Sequence, residues 1–426
     1  MSNTVLRPLP DVPADVPSLS LHVLAKNAEN VLGRLLDNVL PYVQQVRFVL
    51  NDTTDASEKV IESRADRFVD SHQISPITLS LDVQHVTAIS HPEHYFDDVP
   101  ASYEVGSPLS SERFEGPYTE APLLADWASV RNLGWDSDQE WRLFLDADDL
   151  VADPQKIPGL LCVLRDLGAD LAAARYIFGR GPGGEPNSMA YRERLAKNMP
   201  TIRWEGRTHE VMAGGLRRIL VEDCLSVTDM KDNWGRGVRV PGRCFKILYR
   251  DARLANWKVP ARHLAYLVQE APGMMPLEWV AGDLYDAYGD KSEQPEEQAW
   301  VLCMIGEMYE ARGGYDLATR HYKRALGCHT SPKAAFRLCR AEFMRRNWTG
   351  CLEAYERGLS LVTFPQILDD GPVYADSSKL FVAHAYKELG KMEQAREMAC
   401  ECVRLFPRSG AVADLVESIC GIKGEH

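Results

Sequence analysis

The chain has 426 residues, of which 45% are hydrophobic and 26% are charged, and its formal net charge is −13. This composition is ordinary for a globular protein, and the length predicts about two to three domains. The negative charge argues against a sequence-independent grip on nucleic acid or on an anionic membrane, because both require concentrated Lys and Arg.

The sequence also argues against a membrane span and against a disulfide framework. Its apolar runs fall short of the ~18 residues that a transmembrane helix needs. The ten cysteines are scattered and form no CxxC motif. We therefore expect reduced thiols in a cytoplasmic protein, without a zinc site.

The first part of the chain alternates strand and helix patterns. Residues 1–17 are rich in Pro and Asp and are expected to form a flexible leader. Apolar strands are predicted at 19–24, 46–50 and 77–83, with helices after the first two of them. This alternation predicts a mostly parallel sheet with crossover helices.

A short apolar strand at 141–145 runs directly into Asp146-Ala147-Asp148-Asp149. In open α/β sheets the carboxyl ends of the strands carry the ligand site. Crowded carboxylates repel each other unless a cation joins them, and Asp oxygens suit Mg²⁺ or Mn²⁺ shared with substrate phosphates. The alternative interpretation is a solvated acidic turn, because Asp-x-Asp is a short and common motif.

The intervening segments are less regular. A long insertion loop is predicted at 90–122, and loops of this length are often functional. Helices are predicted at 122–133 and 153–167, and a strand at 171–178. The glycine-rich stretch at 179–184 lacks the Lys-Ser/Thr of a phosphate loop, so a hairpin turn is the better prediction.

From about residue 255 the pattern becomes helical, with a repeat of roughly 34 residues. Ala318 and Tyr322 recur as Cys351 and Tyr355, and a third unit follows an irregular insert at 363–376. Small residues at fixed positions allow paired helices to approach closely. We predict a helix-pair solenoid of the tetratricopeptide type; the alternative is an irregular helical bundle.

Five stretches in this order resemble glycosyltransferase family 2, in the branch with C-terminal tetratricopeptide repeats. They are Lys-Asn-Ala-Glu-Asn at 26–30, Thr-Thr-Asp-Ala-Ser at 53–57, Trp-Ala-Ser-Val-Arg-Asn at 127–132, the Asp-x-Asp strand at 141–149 and Trp-Glu-Gly-Arg-Thr-His-Glu at 204–210. The resemblance implies an α/β GT-A fold with a Rossmann-like, mostly parallel sheet over residues 18–254. An all-α repeat domain would follow over residues 255–426.

The resemblance further implies a metal-dependent, inverting glycosyltransferase that uses a nucleotide sugar, with a UDP-sugar favoured. Mn²⁺ or Mg²⁺ would be held by Asp148, by His209 and by Asp146, the last through the ribose or water. Glu210 would be the general base, with Asp232 and Asp149 in reserve. The residues expected to bind the nucleotide sugar are Lys26, Asn27, Asp52, Asp55, Arg131, Asn132, Asp146, Ala147 and Arg236.

Several of these assignments have structural alternatives. His209 is alternatively a hydrogen-bonded structural residue, and Glu210 alternatively pairs with Arg207. Arg131 and Asn132 alternatively cap the helix before Gly134. The sequence also departs from the family at the end of the second strand. The family has a carboxylate there that contacts the nucleotide base, and the corresponding residue here is Leu50 or, with a one-residue gap, Asp52. The identity of the nucleotide base therefore stays open.

The acceptor is expected to be a protein or peptide held by the repeats. A modified nucleobase or a saccharide is an alternative acceptor, although the net charge counts mildly against DNA. The repeats alternatively mediate homodimerisation, since such concave faces bind peptides or self-associate. A third hypothesis is a non-catalytic scaffold that binds partners through its repeats.

Overall fold

The computed structural model describes residues 5–6, 15–51, 53–71, 80–86, 127–133, 135–180, 184, 186–215, 217–229, 243–272, 274–289, 292–361, 368–369 and 371–420. The chain folds as two compact units. The described part of the first unit runs to Phe178 and resumes from Met189 to Arg243, and the second unit includes everything from Cys244 onward. The predicted leader, residues 1–17, contains the two-residue strand Val5–Leu6.

The first unit is built on a mixed sheet. Its strands are β1 (Val5–Leu6), β2 (Leu19–Ala25), β3 (Gln45–Asn51), β4 (Ser80–Val86), β5 (Trp141–Asp146), β6 (Asp149–Val151), β7 (Leu171–Arg180), β8 (Pro186–Lys197), β9 (Arg203–Glu205), β10 (Val211–Ala213) and β11 (Arg218–Asp229). Its helices are α1 (Glu29–Val39), α2 (Ser57–Ser71), α3 (Trp127–Leu133) and α4 (Ile157–Asp166).

The strand order in the main sheet is β1-β11-β7-β8-β5-β2-β3-β4. Strands β5, β2, β3 and β4 pair in parallel, and β8 pairs antiparallel to β5. The chain therefore proceeds from β2 toward one edge and then returns to place β5 on the other side of β2. This reversal is the topological switch point at which open α/β sheets bind ligands.

Alternating side chains give the two faces of the sheet different characters. Leu19, Leu21 and Val23 of β2 are buried in one apolar core with the inward sides of α1 and α4. The residues between them include Ser20 and His22, which are buried on the opposite face and carry polar groups. This second face holds both the candidate site and a group of arginines.

The predicted elements of this unit are found with small shifts. The described part of the third predicted strand is Ser80–Val86, and its predicted start at 77 lies outside the described residues. The helix predicted at 153–167 is a short 3-10 turn, Pro154–Lys156, followed by α4. Strands β7 and β8, which flank the hairpin turn predicted at 179–184, are neighbours in the sheet, and residues 181–183 of that turn lie outside the described part. The insertion predicted at 90–122 lies outside the described residues.

The second unit is helical. Its helices are α5 (Arg243–Leu254), α6 (Ala261–Glu270), α7 (Leu277–Trp279), α8 (Tyr285–Gly289), α9 (Pro295–Ala311), α10 (Tyr315–Cys328), α11 (Pro332–Met344), α12 (Trp348–Leu361), α13 (Gly371–Glu388), α14 (Met392–Leu405) and α15 (Gly410–Cys420). A π-helical turn, Val280–Leu284, joins α7 to α8, and the two-residue strand β12 (Leu368–Asp369) precedes α13. Helix α5 packs in an apolar core with α6, so the helical unit begins before the boundary predicted at 254/255.

Three helical hairpins share one turn geometry. Gly313, Arg346 and Gly390 have positive φ angles of 75°, 59° and 72° between the helices of each pair. The next residue in each turn donates its N–H to the carbonyl five residues back, at 2.9 Å in all three turns. This is the hydrogen bond of a Schellman helix end. The repeated turn confirms the helical repeat at the level of the backbone.

Glycines set the close approach within two of these hairpins. A Cβ on Gly306 of α9 would lie 2.5 Å from the Tyr322 ring of α10. A Cβ on Gly358 of α12 would lie 2.5 Å from the Phe336 ring of α11. The predicted role of small residues is therefore confirmed in these two helix pairs.

Candidate functional site

The Asp-Ala-Asp segment lies at the switch point of the sheet. Asp146 ends β5 and is paired in register with Leu24, one residue before the end of β2. Ala147 and Asp148 form the turn into β6, and both are half-buried. The segment thus occupies the position at which this architecture places a ligand.

Asp149 turns inward from this segment and organises it. Its carboxylate is fully buried and accepts hydrogen bonds from the backbone N–H of Asp146 at 2.8 Å and from the hydroxyl of Tyr176 at 2.7 Å. Arg194 lies 3.2 Å away from the same carboxylate. Burial raises the pKa of Asp149 to about 7, and the charge of Arg194 opposes that rise. Asp149 therefore fixes the turn from within, so that Asp146 and Asp148 carry the exposed chemistry.

Asp146 is held between two arginines. Its Oδ1 lies 3.4 Å from Arg131, and its Oδ2 lies 3.3 Å from Arg194. Each carboxylate oxygen thus already faces a cation at the edge of hydrogen-bonding distance. These contacts suit Asp146 to an indirect role, through water or a sugar hydroxyl. Asp149, the other carboxylate that the sequence suggests as a reserve base, is fully buried.

Arg131 of α3 joins Asp146 to Glu210. Its Nε donates to Glu210 Oε1 at 2.6 Å, and its Nη2 lies 2.5 Å from the same oxygen. Its guanidinium stacks on the rings of Phe144 and Trp204, with distances to the ring centroids of 4.1 and 5.0 Å. Charge pairing and ring stacking together fix this guanidinium at the centre of the candidate site. Glu210 is thus paired with Arg131, whereas the sequence offered Arg207 as its partner.

Helix α3 also anchors the loop that carries His209 and Glu210. Asn132 donates to the carbonyl of Trp204 and accepts from its N–H, both at 2.9 Å. The N–H of Trp127 donates to the carbonyl of Arg207 at 2.8 Å. His209 is half-buried in this loop with a φ of 53°, an uncommon conformation for a residue other than glycine. The two hydrogen bonds to the Trp204 backbone thus engage both the nitrogen and the oxygen of the Asn132 side-chain amide.

The loops after β2 and β3 are bound to each other. Lys26 and Asn27 are exposed, and Asn27 Oδ1 accepts the N–H of Thr54 at 2.8 Å. Asp55 accepts the N–H of Glu29 and that of Ser57, each at 3.0 Å. Burial tends to raise the pKa of Asp55, but these hydrogen bonds outweigh it and the pKa is lowered. The structure therefore uses Asn27 and Asp55 to couple the starts of α1 and α2.

Three of the predicted site residues lie outside the described part of the chain. Asp52 follows β3, and Asp232 and Arg236 follow β11. Their proposed roles in base recognition, proton transfer and diphosphate binding stay predictions.

Sequence reasoning missed Arg194, because no strand is predicted over the stretch that forms β8, and it missed Tyr176 although the strand that carries Tyr176 is predicted. The two side chains stack, with 4.5 Å from the guanidinium carbon to the ring centroid, and both contact Asp149. The available signal is Arg194 itself, which stands directly before the apolar pair Leu195 and Ala196. An arginine in a buried strand requires an anionic partner.

None of the helices in the described part of the chain has both the length and the apolar character that a membrane-spanning helix requires.

Comparisons with known proteins return only weak structural likenesses. No protein-family profile matches the chain, and no curated protein matches its sequence. Chains of solved structures that match include the Cut9 and Hcn1 hetero-tetramer of APC/C, with 13% identity over 42% of this chain and a TM-score of 0.32. The matched region is 33% of that chain.

Two smaller proteins match a similar share of this chain. The type IV pilus biogenesis factor PilW has 18% identity over 40% of this chain and 74% of its own, with a TM-score of 0.32. YrrB, a TPR protein with an unusual peptide-binding site, has 12% identity over 40% of this chain and 81% of its own, with a TM-score of 0.32. TM-scores at this level do not establish a shared fold, so the evidence for the helical repeat is the geometry of the hairpins.

Proposed function

We propose that the sheet unit is a metal-dependent, inverting glycosyltransferase of the GT-A type that uses a nucleotide-sugar donor, with a UDP-sugar favoured. The observation that carries the proposal is the place of Asp146-Ala147-Asp148 at the switch point, beside the Arg131–Glu210 ion pair. The parallel β5-β2-β3-β4 arrangement supports the fold that the sequence resemblance implies.

Carboxylate oxygens at the strand end are ligands that suit a hard divalent cation, although the structure does not bring the ligand atoms of Asp146, Asp148 and His209 within 4.8 Å of one another. Asp148 supplies carboxylate oxygens, Asp146 contributes through water or the ribose, and the imidazole of His209 is the third candidate ligand. Mn²⁺ or Mg²⁺ held there would neutralise negative charge on the donor diphosphate as the glycosidic bond breaks. The inward Asp149 keeps the strand end rigid, which is what a preorganised ligand set requires.

Glu210 is the candidate general base toward the acceptor hydroxyl or amide. The hydrogen bond from Arg131 Nε goes to Glu210 Oε1. A carboxylate fixed by a guanidinium on one oxygen can present the other oxygen to a proton in a constant direction. Asp232 remains the reserve candidate. The inverting reaction is a single displacement, so these residues need not form a covalent intermediate.

The donor nucleotide would lie over the carboxyl ends of β2 and β5. Lys26 and Asn27 follow β2 and are exposed there, and Arg131 lies beside Asp146. Lys26 and Arg131 would supply positive charge to the diphosphate, which a negatively charged protein otherwise repels. Arg236 would add a further cation from the segment after β11.

The helical repeats suit a protein or peptide acceptor, because stacked helix pairs offer an extended surface. The confirmed hairpins also keep a second candidate open, in which the chain is a non-catalytic scaffold. Binding of nucleotide that depends on metal distinguishes the two, since a scaffold has no need of it.

The test is calorimetric titration of UDP into the full chain with Mn²⁺ and with chelator. We expect metal-dependent binding in the wild type and its loss in Asp148→Asn. Asp153→Asn is the matched control, because Asp153 is an exposed carboxylate just beyond β6 that pairs with Lys156 at 2.9 Å. Equal binding by Asp148→Asn and wild type, or binding of no nucleotide, would remove the basis of the proposal.

A further inference from the structure

On the second face of the sheet, the guanidinium of Arg142 is buried and only some of its N–H groups donate hydrogen bonds. Arg142 lies on β5, four residues before Asp146, and only 2% of its surface is exposed. Its Nη2 donates to Asn198 Oδ1, and its guanidinium stacks on Trp135 with 5.0 Å to the ring centroid. Its Nε and Nη1 have no hydrogen-bond partner among the described residues. A buried charge in this state is costly unless an anion pairs with it.

The positive charge of this region is not confined to Arg142. Arg203 donates from Nη2 to Asp136 Oδ1 at 3.0 Å, while its buried Nη1 has no hydrogen-bond partner. Burial together with the charges of Arg203 and Arg47 lowers the pKa of Arg142 to about 10, and the charge of Asp136 opposes this shift. Asp136 is 75% exposed, so its charge is well screened by solvent. Arg142 and Arg203 thus lie in a region where the opposing charge that acts on Arg142 comes from one exposed carboxylate.

The residues around Arg142 are rigid and polar. Asn198 is fixed by donating to the carbonyls of Ser137 at 2.6 Å and Gln139 at 2.8 Å. The Ser137 hydroxyl lies 2.8 Å from Ser20 Oγ. This network holds the Arg142 side chain in place through Asn198, so the unpartnered N–H groups are presented in a fixed geometry.

We propose that Arg142 and Arg203 form a binding site for a phosphate group, separate from the Asp146–Asp148 segment. A phosphate oxyanion accepts charge-assisted hydrogen bonds from several guanidinium N–H groups at once, which matches the unpartnered donors of the two arginines. The same chemistry is offered by inorganic phosphate and by the phosphate of a small monoester.

The test is titration of inorganic phosphate into the full chain with chelator present, so that metal-bound phosphate at the aspartates does not contribute. We expect saturable binding in the wild type and at least a tenfold weaker affinity in Arg203→Gln. Arg165→Gln is the matched control, because the Arg165 side chain is 36% exposed against 37% for Arg203 and also pairs with an exposed aspartate. The control should bind as the wild type does.

Two further measurements complete the test. Arg142→Met should abolish phosphate binding. If Arg142→Met does not fold, the affinity of Arg203→Gln for phosphate tests the proposal. Glycerol phosphate competing with inorganic phosphate would identify a site open to monoesters, and inorganic phosphate binding alone would identify an enclosed site. Absence of saturable binding, or equal affinity in wild type and Arg203→Gln, would overturn the proposal.

Discussion

The helix crossing at Gly306 provides the sharpest prediction about stability. A methyl group added there would lie 2.5 Å from Tyr322 Cε1 and 2.9 Å from Cδ1. Tyr322 has no room to yield, since it is fully buried and its hydroxyl donates to Glu310 at 2.6 Å. Gly306→Ala must therefore separate α9 from α10, and overpacking of this kind costs about 1–3 kcal/mol.

Alanine also favours the helix over glycine by up to about 1 kcal/mol, which hides part of that cost. Gly327→Ala in α10 controls for this gain, because a Cβ there meets no atom within 4 Å. We expect Gly306→Ala to be less stable than Gly327→Ala by about 1–3 kcal/mol. Urea denaturation followed by circular dichroism measures the difference. Equal stability of the two variants would refute the helix crossing as described.

Two further predictions concern individual side chains. Burial and the charge of Arg324 lower the pKa of His321 from 6.5 to about 4, so the unfolded chain takes up the proton first. Stability should fall as pH drops from 6.5 toward 4, and His321→Phe, which keeps a ring beside Tyr309, should flatten that slope in urea midpoints. Asn132→Ala should lower the free energy of unfolding by about 1–3 kcal/mol, because the N–H and carbonyl of Trp204 lose their hydrogen-bond partner. Thermal denaturation measures this loss, and a stability equal to that of the wild type would leave Asn132 available for a nucleotide.

The sheet could be predicted largely because its strands carry local signals. β2, β3 and β5 are short, largely apolar segments followed by polar residues, and their parallel pairing follows from alternation with helices. The strands from β8 to β11 gave no such prediction. β8 mixes arginines with apolar residues, and its burial depends on partners distant in sequence, such as Asp149 for Arg194.

The position of the candidate site in the fold could be predicted from the sequence, but the pairing of its side chains could not. Asp146 and Asp148 could be placed at a strand end from the sequence, because strand ends are local features. The pairing of Glu210 with Arg131 could not, since the two lie 79 residues apart and meet only through the packing of α3 on the loop after β9. The repeat was predictable because its turns and small residues recur, with an irregular insert between the second and third turns; Gly313 and Arg346 are 33 residues apart, and Arg346 and Gly390 are 44 apart.

The central claim is that Asp148 supports glycosyl transfer. The most direct test is release of nucleoside diphosphate from a panel of nucleotide sugars, with Mn²⁺, with Mg²⁺ and with chelator. The account predicts metal-dependent release from at least one donor, and a loss on the order of 10³-fold in Asp148→Asn, as expected when several kcal/mol of charge stabilisation disappear. Release that persists in Asp148→Asn, or no release from any donor together with no metal-dependent UDP binding, would contradict it.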